Sequence, residues 1–166
     1  MAGRLRKVWV VAWAILSAAQ VRAQAPTDKP AIPGEPAAAA GLPDTAHTYS
    51  ASGGVRYVYR VRGTGPRPQA GSRVTVRYAG YLADGHLFDA TAATGNPLRF
   101  RVGRGEVIAG WDDLLPLLTA GSRVRAEIPA ARAYGARGVL DPENEARYLI
   151  PPNAPLVFEM EVVSVR

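Results

Sequence analysis

The sequence predicts an α+β fold: a twisted antiparallel sheet curled around one short helix. Three observations predict it. Five segments between residues 55 and 165 alternate apolar and polar residues at the period of a half-buried strand. Turn signals rich in glycine, proline and aspartate separate them. One stretch, "EVIAGWDDLL" at 106–115, carries a convincing helix start. The length, 166 residues, suggests one domain with appendages.

The appendages come first in the chain. Residues 1–23 read as a secretory signal. Arg4, Arg6 and Lys7 form its charged region, Val8–Leu16 its apolar run, and Val21 and Ala23 its small-residue cleavage positions. The apolar run is too short for a comfortable membrane-spanning helix, so no stable span is expected after cleavage. An uncleaved anchor is the alternative. Residues 24–50 are dominated by proline, alanine and glycine and carry almost no large apolar residues. Such a segment cannot bury enough surface to offset its ordering entropy, so it reads as a flexible linker.

The folded domain is expected over 51–166. In "VRYVYRVR", Val55, Tyr57, Tyr59 and Val61 share one face, with Val58 the exception on the outer face. In "RVTVRYAGYL", Val74, Val76 and Tyr78 share a face, and Asp84-Gly85 then marks a tight turn. "LRFRV" turns Leu98, Phe100 and Val102 inward. "RVRAEI" does the same with Val124, Ala126 and Ile128. In "LVFEMEVVSV", Leu156, Phe158, Met160 and Val162 face one way, opposite Glu159 and Glu161. Strands with polar outer faces imply an antiparallel sheet covered on one side.

The helix that covers it is expected over Trp111–Leu115, reaching towards Leu118. Asp112 and Asp113 sit in its first turn, where carboxylates suit the helix dipole. Pro116 limits it, because an interior proline removes a backbone bond and crowds the preceding turn. One short helix covers a sheet incompletely. Part of the apolar face stays open, and a hydrophobic pocket results.

Composition excludes several chemistries. The chain has no cysteine, hence no disulfide and no thiol nucleophile. His47 and His86 lie apart without metal-ligand spacing. "GRGE" at 103–106 lacks the context of a phosphate loop. The formal net charge of +6 includes Arg4, Arg6, Lys7 and Arg22. Losing those four cations with the signal lowers it to +2, so nucleic-acid binding is not read from it.

Four blocks, "VTVRYAGYLADGHLFDAT", "EVIAGWDDLL", "ARAYGARG" and "LIPPNAPLVFEMEVV", together resemble the FKBP-type peptidyl-prolyl cis-trans isomerases. The resemblance runs through most of residues 55–166. It implies a sheet of five or six antiparallel strands around a short helix, in agreement with the pattern above. It also implies roles. Trp111 matches the tryptophan that floors the pocket beneath the substrate's proline ring. Tyr78, Phe88, Val107, Ile108, Ile150 and Phe158 match pocket walls. Leu98 stands on the rim, where an aromatic residue is common. Leu149 adjoins the wall. Tyr134 resembles the tyrosine whose hydroxyl bonds a substrate carbonyl, and the Ile108 N–H would reach another. Asp89 resembles the carboxylate that bonds the pocket tyrosines, and Glu106 would offer its backbone carbonyl. No cofactor or metal is implied. The implied partners are proline-containing polypeptides and macrolide inhibitors.

Plainer readings stand beside these. Tryptophan at a helix start is usually core. Asp89 after Phe88 could be a turn residue. Tyr78 and Tyr134 could be core tyrosines with satisfied hydroxyls, and His86 a solvated turn neighbour. The chain also departs from the family pattern at Leu98, at Pro116, and in "VLDPENEARY" (139–148), a longer and more charged loop that could fold as an extra turn. Two functions are expected on this basis. One is an isomerase assisting the folding of exported proteins. The other is a chaperone or peptide-binding module on the same fold, and the presence of Asp89, Tyr134 and Trp111 favours the first. The signal, with two lysines against eighteen arginines, points to the periplasm of a bacterium.

Overall fold

The computed structural model describes residues 47–91 and 95–166. The expected signal (1–23) and all but the last residues of the expected linker (24–50) lie outside them. One antiparallel sheet is built from β1 (Tyr49–Ser50), β2 (Arg56–Val61), β3 (Arg73–Leu82), β4 (Leu87–Ala90), β5 (Leu98–Arg101), β6 (Arg123–Ile128) and β9 (Leu156–Val165). Its order is β1-β2-β6-β9-β3-β4, with β5 also on β3. The single α-helix among the described residues, α1, spans Ala109–Leu114. β7 (Val139–Asp141) and β8 (Asn144–Ile150) form a separate hairpin.

Alternation decides which face is buried. Val74, Val76 and Tyr78 of β3 face inward with Val124, Ala126 and Ile128 of β6 and Leu156, Phe158, Met160 and Val162 of β9. Against them pack Trp111 and Leu114 of α1 and the following Leu115 and Leu118. Each buried aliphatic chain of this size contributes about 1.5–3 kcal/mol by leaving water. Asp84-Gly85 makes the expected hairpin turn. The Gly85 N–H donates to the Leu82 carbonyl at 2.9 Å, and Gly85 holds φ 88°, which suits a residue without a Cβ.

Several expectations are corrected. In β2, Val61 is 47% exposed instead of facing the core, while Val58, outside the main core cluster as expected of the outer face, is only 1% exposed. The register between β2 and β6 shifts between Tyr59 and Val61, and a bulge of this kind resets the alternation. The outer sheet face is not uniformly wet. Ala79, Tyr81, Ala90 and Val157 form a second buried cluster there, and Arg125 pairs with Glu159 at 2.7 Å with both side chains buried. β1 lies on the linker side of the boundary expected at Ala51.

The helix starts two residues earlier than expected and ends at Leu114. A 3-10 turn, Leu115–Leu117, follows, with Pro116 in its first positions, where the missing N–H is no loss. The residues of 139–148, expected as a loop that could fold as an extra turn, form most of the β7–β8 hairpin. Leu140 and Tyr148 are paired across it, and both are about half exposed.

Candidate functional site

Strand alternation and the helix together build an aromatic box. Tyr78 comes from β3, Phe88 from β4, Phe158 from β9 and Trp111 from α1. The Trp111 ring stands edge-on to Tyr78 (centroids 4.9 Å, planes at 82°) and to Phe158 (5.3 Å, 82°). Phe88 meets Phe158 at 5.7 Å and 88°. Such edge-to-face pairs add to the stabilisation from burial alone. Phe100 of β5 completes the set, 5.8 Å from Trp111. The sequence marked Phe100 only as inward-facing; its place beside Trp111 follows from the pairing of Phe100 with Val74.

Gly80 makes the close approach of the rings possible. A Cβ there would lie 2.6 Å from Phe88 Cζ and 2.8 Å from Phe158 Cε1. Gly110 does the same for the helix, since its Cβ would meet Ile128 Cγ2 at 2.4 Å. Glycine at these two positions lets ring and helix sit against the sheet.

The remaining expected residues fall around this box. Val107, Ile108 and Ile150 are buried in the same core cluster as Trp111, and Phe88, Leu98, Tyr134 and Leu149 pack half-buried against it. Trp111 is 2% exposed, and its indole Nε1–H has no acceptor among the described residues. Tyr78, Phe100 and Phe158 flank its ring. Glu106 lies in the loop before α1. It is exposed, and its carboxylate accepts the Arg101 N–H at 3.0 Å, so its side chain serves the loop before α1.

Polar groups border the box. The Tyr78 hydroxyl donates to the Asp89 carboxylate. Burial pushes the Asp89 carboxyl above its ordinary value, and the bond from Tyr78 opposes this. Burial, and then the Asp89 carboxylate, push the Tyr78 phenol far above its own. The Tyr134 phenol is raised by the same two causes. Both tyrosines therefore keep their protons over any physiological range and stay available as donors. Among the described residues, neither the Tyr134 hydroxyl nor the Ile108 N–H has a hydrogen-bond acceptor. Two donors without acceptors thus border an apolar box.

The turn that carries Tyr134 is anchored to the helix. Arg132 Nε donates to Asp113 Oδ2 at 2.7 Å, and the Gly135 N–H donates to the Ala130 carbonyl at 2.8 Å. No group of three or more His, Cys, Asp or Glu that could hold a metal occurs among the described residues. No described helix is long and apolar enough to cross a membrane.

Known proteins are similar to this chain in sequence and fold. Residues 65–163 match the family model of FKBP-type peptidyl-prolyl cis-trans isomerases. FK506-binding protein 1 of Kluyveromyces lactis is 41% identical over 98 residues, which cover 59% of this chain and 80% of the relative. Outer membrane protein MIP of Legionella longbeachae is 40% identical over 113 residues, covering 68% of this chain and 45% of that protein. The crystal structure of a peptidyl-prolyl cis-trans isomerase from Pseudomonas syringae superposes with a TM-score of 0.62 at 39% identity, covering 71% of this chain and 80% of that one. Members of this family are rotamases. With the family model matching more than half of its length, the chain belongs to the FKBP-type peptidyl-prolyl cis-trans isomerases.

Proposed function

We propose that this chain is an exported isomerase that turns Xaa-Pro bonds in polypeptides folding in the bacterial periplasm. The observation that carries the reading is the aromatic box floored by Trp111, bordered by the two donors Ile108 N–H and Tyr134 hydroxyl.

The chemistry requires no bond to break. Resonance holds the peptide bond planar behind a barrier of about 18–20 kcal/mol. Before proline both planar forms are accessible, and uncatalysed exchange is slow. A catalyst must favour the twisted amide over the planar one. The twisted amide has lost resonance, so its carbonyl carries less negative charge. A dry aromatic box therefore disfavours the planar state more than the twisted one. In this reading the proline ring rests on Trp111, between Tyr78, Phe88 and Phe158. Val107, Ile150, Leu149 and Leu98 close the sides. The Ile108 N–H and Tyr134 hydroxyl hold flanking carbonyls while the bond turns. Asp89 holds Tyr78 through its hydroxyl, and no cofactor takes part.

Export is supported by the signal pattern of residues 1–23 and by a relative named as an outer membrane protein. Macrolide inhibitors are a second ligand class for the same box. A holding role beside turnover is favoured by one observation, the exposed Leu140–Tyr148 pair on the β7–β8 hairpin.

The test is exchange spectroscopy on a short Xaa-Pro peptide with catalytic amounts of the chain from residue 24 onward, and Trp111→Ala as control. Faster exchange that slows in the control supports the reading. A folded chain that leaves the rate unchanged reduces the protein to a peptide-binding module.

A further inference from the structure

Asp112 was expected only as a favourable charge near the helix N-terminus. Its geometry does more. Its Oδ1 accepts the Gly103 N–H at 2.8 Å, and its Oδ2 accepts the Gly105 N–H at 3.2 Å. Both glycines hold positive φ, 72° and 64°, which turns their N–H groups towards one carboxylate. The backbone N–H of the same Asp112 reaches the Ile108 carbonyl at 3.4 Å, beside that of Trp111 at 2.9 Å. One residue thus holds both ends of the segment from Gly103 to Ile108. Glu106 closes the loop a second time by accepting the Arg101 N–H.

This segment ends in the group that the isomerase reading needs. Ile108 is the residue before α1, extended at φ −60° and ψ 146°, and its N–H has no acceptor among the described residues. The direction of that N–H is set by the peptide plane between Val107 and Ile108. The plane is held on one side by the loop and on the other by the first turn of α1. We infer that Asp112 is a positioning residue: by tying the 103–105 loop to α1, it aims the Ile108 N–H at the substrate carbonyl. The inference rests on the isomerase reading and adds to it a residue that touches no substrate.

A hydrogen bond whose direction is lost costs affinity on the order of five- to tenfold. Asp112→Ala should therefore raise KM for a blocked Ala-Leu-Pro-Phe tetrapeptide by about that factor, with kcat changed less. Asp112→Asn, which keeps one acceptor oxygen, should recover part of it. Arg104→Ala, an exposed change in the same loop, should leave KM as it is. The Ile108 amide resonance gives an independent readout. Titrated with the tetrapeptide, it should shift in the unaltered chain and in Arg104→Ala, and shift less in Asp112→Ala. A folded Asp112→Ala with unchanged KM and an unchanged Ile108 shift overturns the inference, whatever its melting temperature. Should Asp112→Ala fail to fold, Asp112→Asn decides by the same two readouts. If the unaltered chain fails to accelerate exchange, the isomerase reading falls, while the amide titration still reports whether Asp112 aims the Ile108 N–H.

Discussion

The Tyr78 hydroxyl donates to the Asp89 carboxylate at the edge of the aromatic box, and the two side chains come from neighbouring strands, β3 and β4. A carboxylate so placed is partly stripped of water, and the phenol supplies one of the partners it lost. The pair holds the Tyr78 ring against Trp111, which lies 4.9 Å away.

Stability should depend on pH through Asp89. Burial raises its folded value above the ordinary 3.8. For an acid with a raised folded pKa, the stabilising contribution is complete below the unfolded value. It is lost as pH rises through the folded value. The unfolding free energy of the natural chain, relative to Asp89→Asn, should therefore fall as pH rises from about 3.8. A difference that stays flat over that window contradicts the burial argument.

Asp89→Val removes the acceptor of the Tyr78 hydroxyl together with the buried charge. Its two effects on stability oppose each other, so the loss should be small, about 1 kcal/mol. Turnover should suffer more, because Tyr78 is released and the field at Tyr134 changes. Peptide exchange measured beside urea unfolding separates the two. Unchanged turnover in a folded variant removes Asp89 from the site.

Trp111→Ala should lower stability by about 3–5 kcal/mol, since a nearly fully buried ring is lost between Tyr78, Phe100 and Phe158. Peptide binding should weaken in the fraction that remains folded. Calorimetric titration below the melting temperature checks the second effect apart from the first.

Gly80→Ala should cost about 1–3 kcal/mol, because the added Cβ meets the Phe88 and Phe158 rings. The rings must move, so peptide affinity should fall as well. Denaturant midpoints and a peptide titration read the two losses. An alanine accepted without either loss would mean that the rings are free to shift.

Arg132→Ala breaks the pair with Asp113 that anchors the Tyr134 turn. The arginine side chain is 36% exposed, so the stability loss should stay below about 1 kcal/mol and shrink with added salt. The larger effect should be on KM, through the position of Tyr134. Kinetics at low and high salt test this.

The sequence by itself determined the alternation that builds the sheet and the residue types that fill the box. Inward residues of β3, β6 and β9 could be read off because a strand's period is local and one face must leave water. Trp111, Tyr78, Phe88 and Phe158 were legible as a set because their four blocks stand together. Only the tertiary structure decided how these pieces meet. The exposure of Val61 follows a register shift between β2 and β6, and pairing between strands so far apart in the chain leaves no local trace. Phe100 joins Trp111 because β5 pairs with β3. Asp112 and Glu106 look like ordinary surface acids in the sequence. Their carboxylates became loop acceptors because the fold left backbone N–H groups there that needed partners. Hydrophobic pattern is carried residue by residue, whereas hydrogen-bond partners are chosen only after the chain has closed on itself.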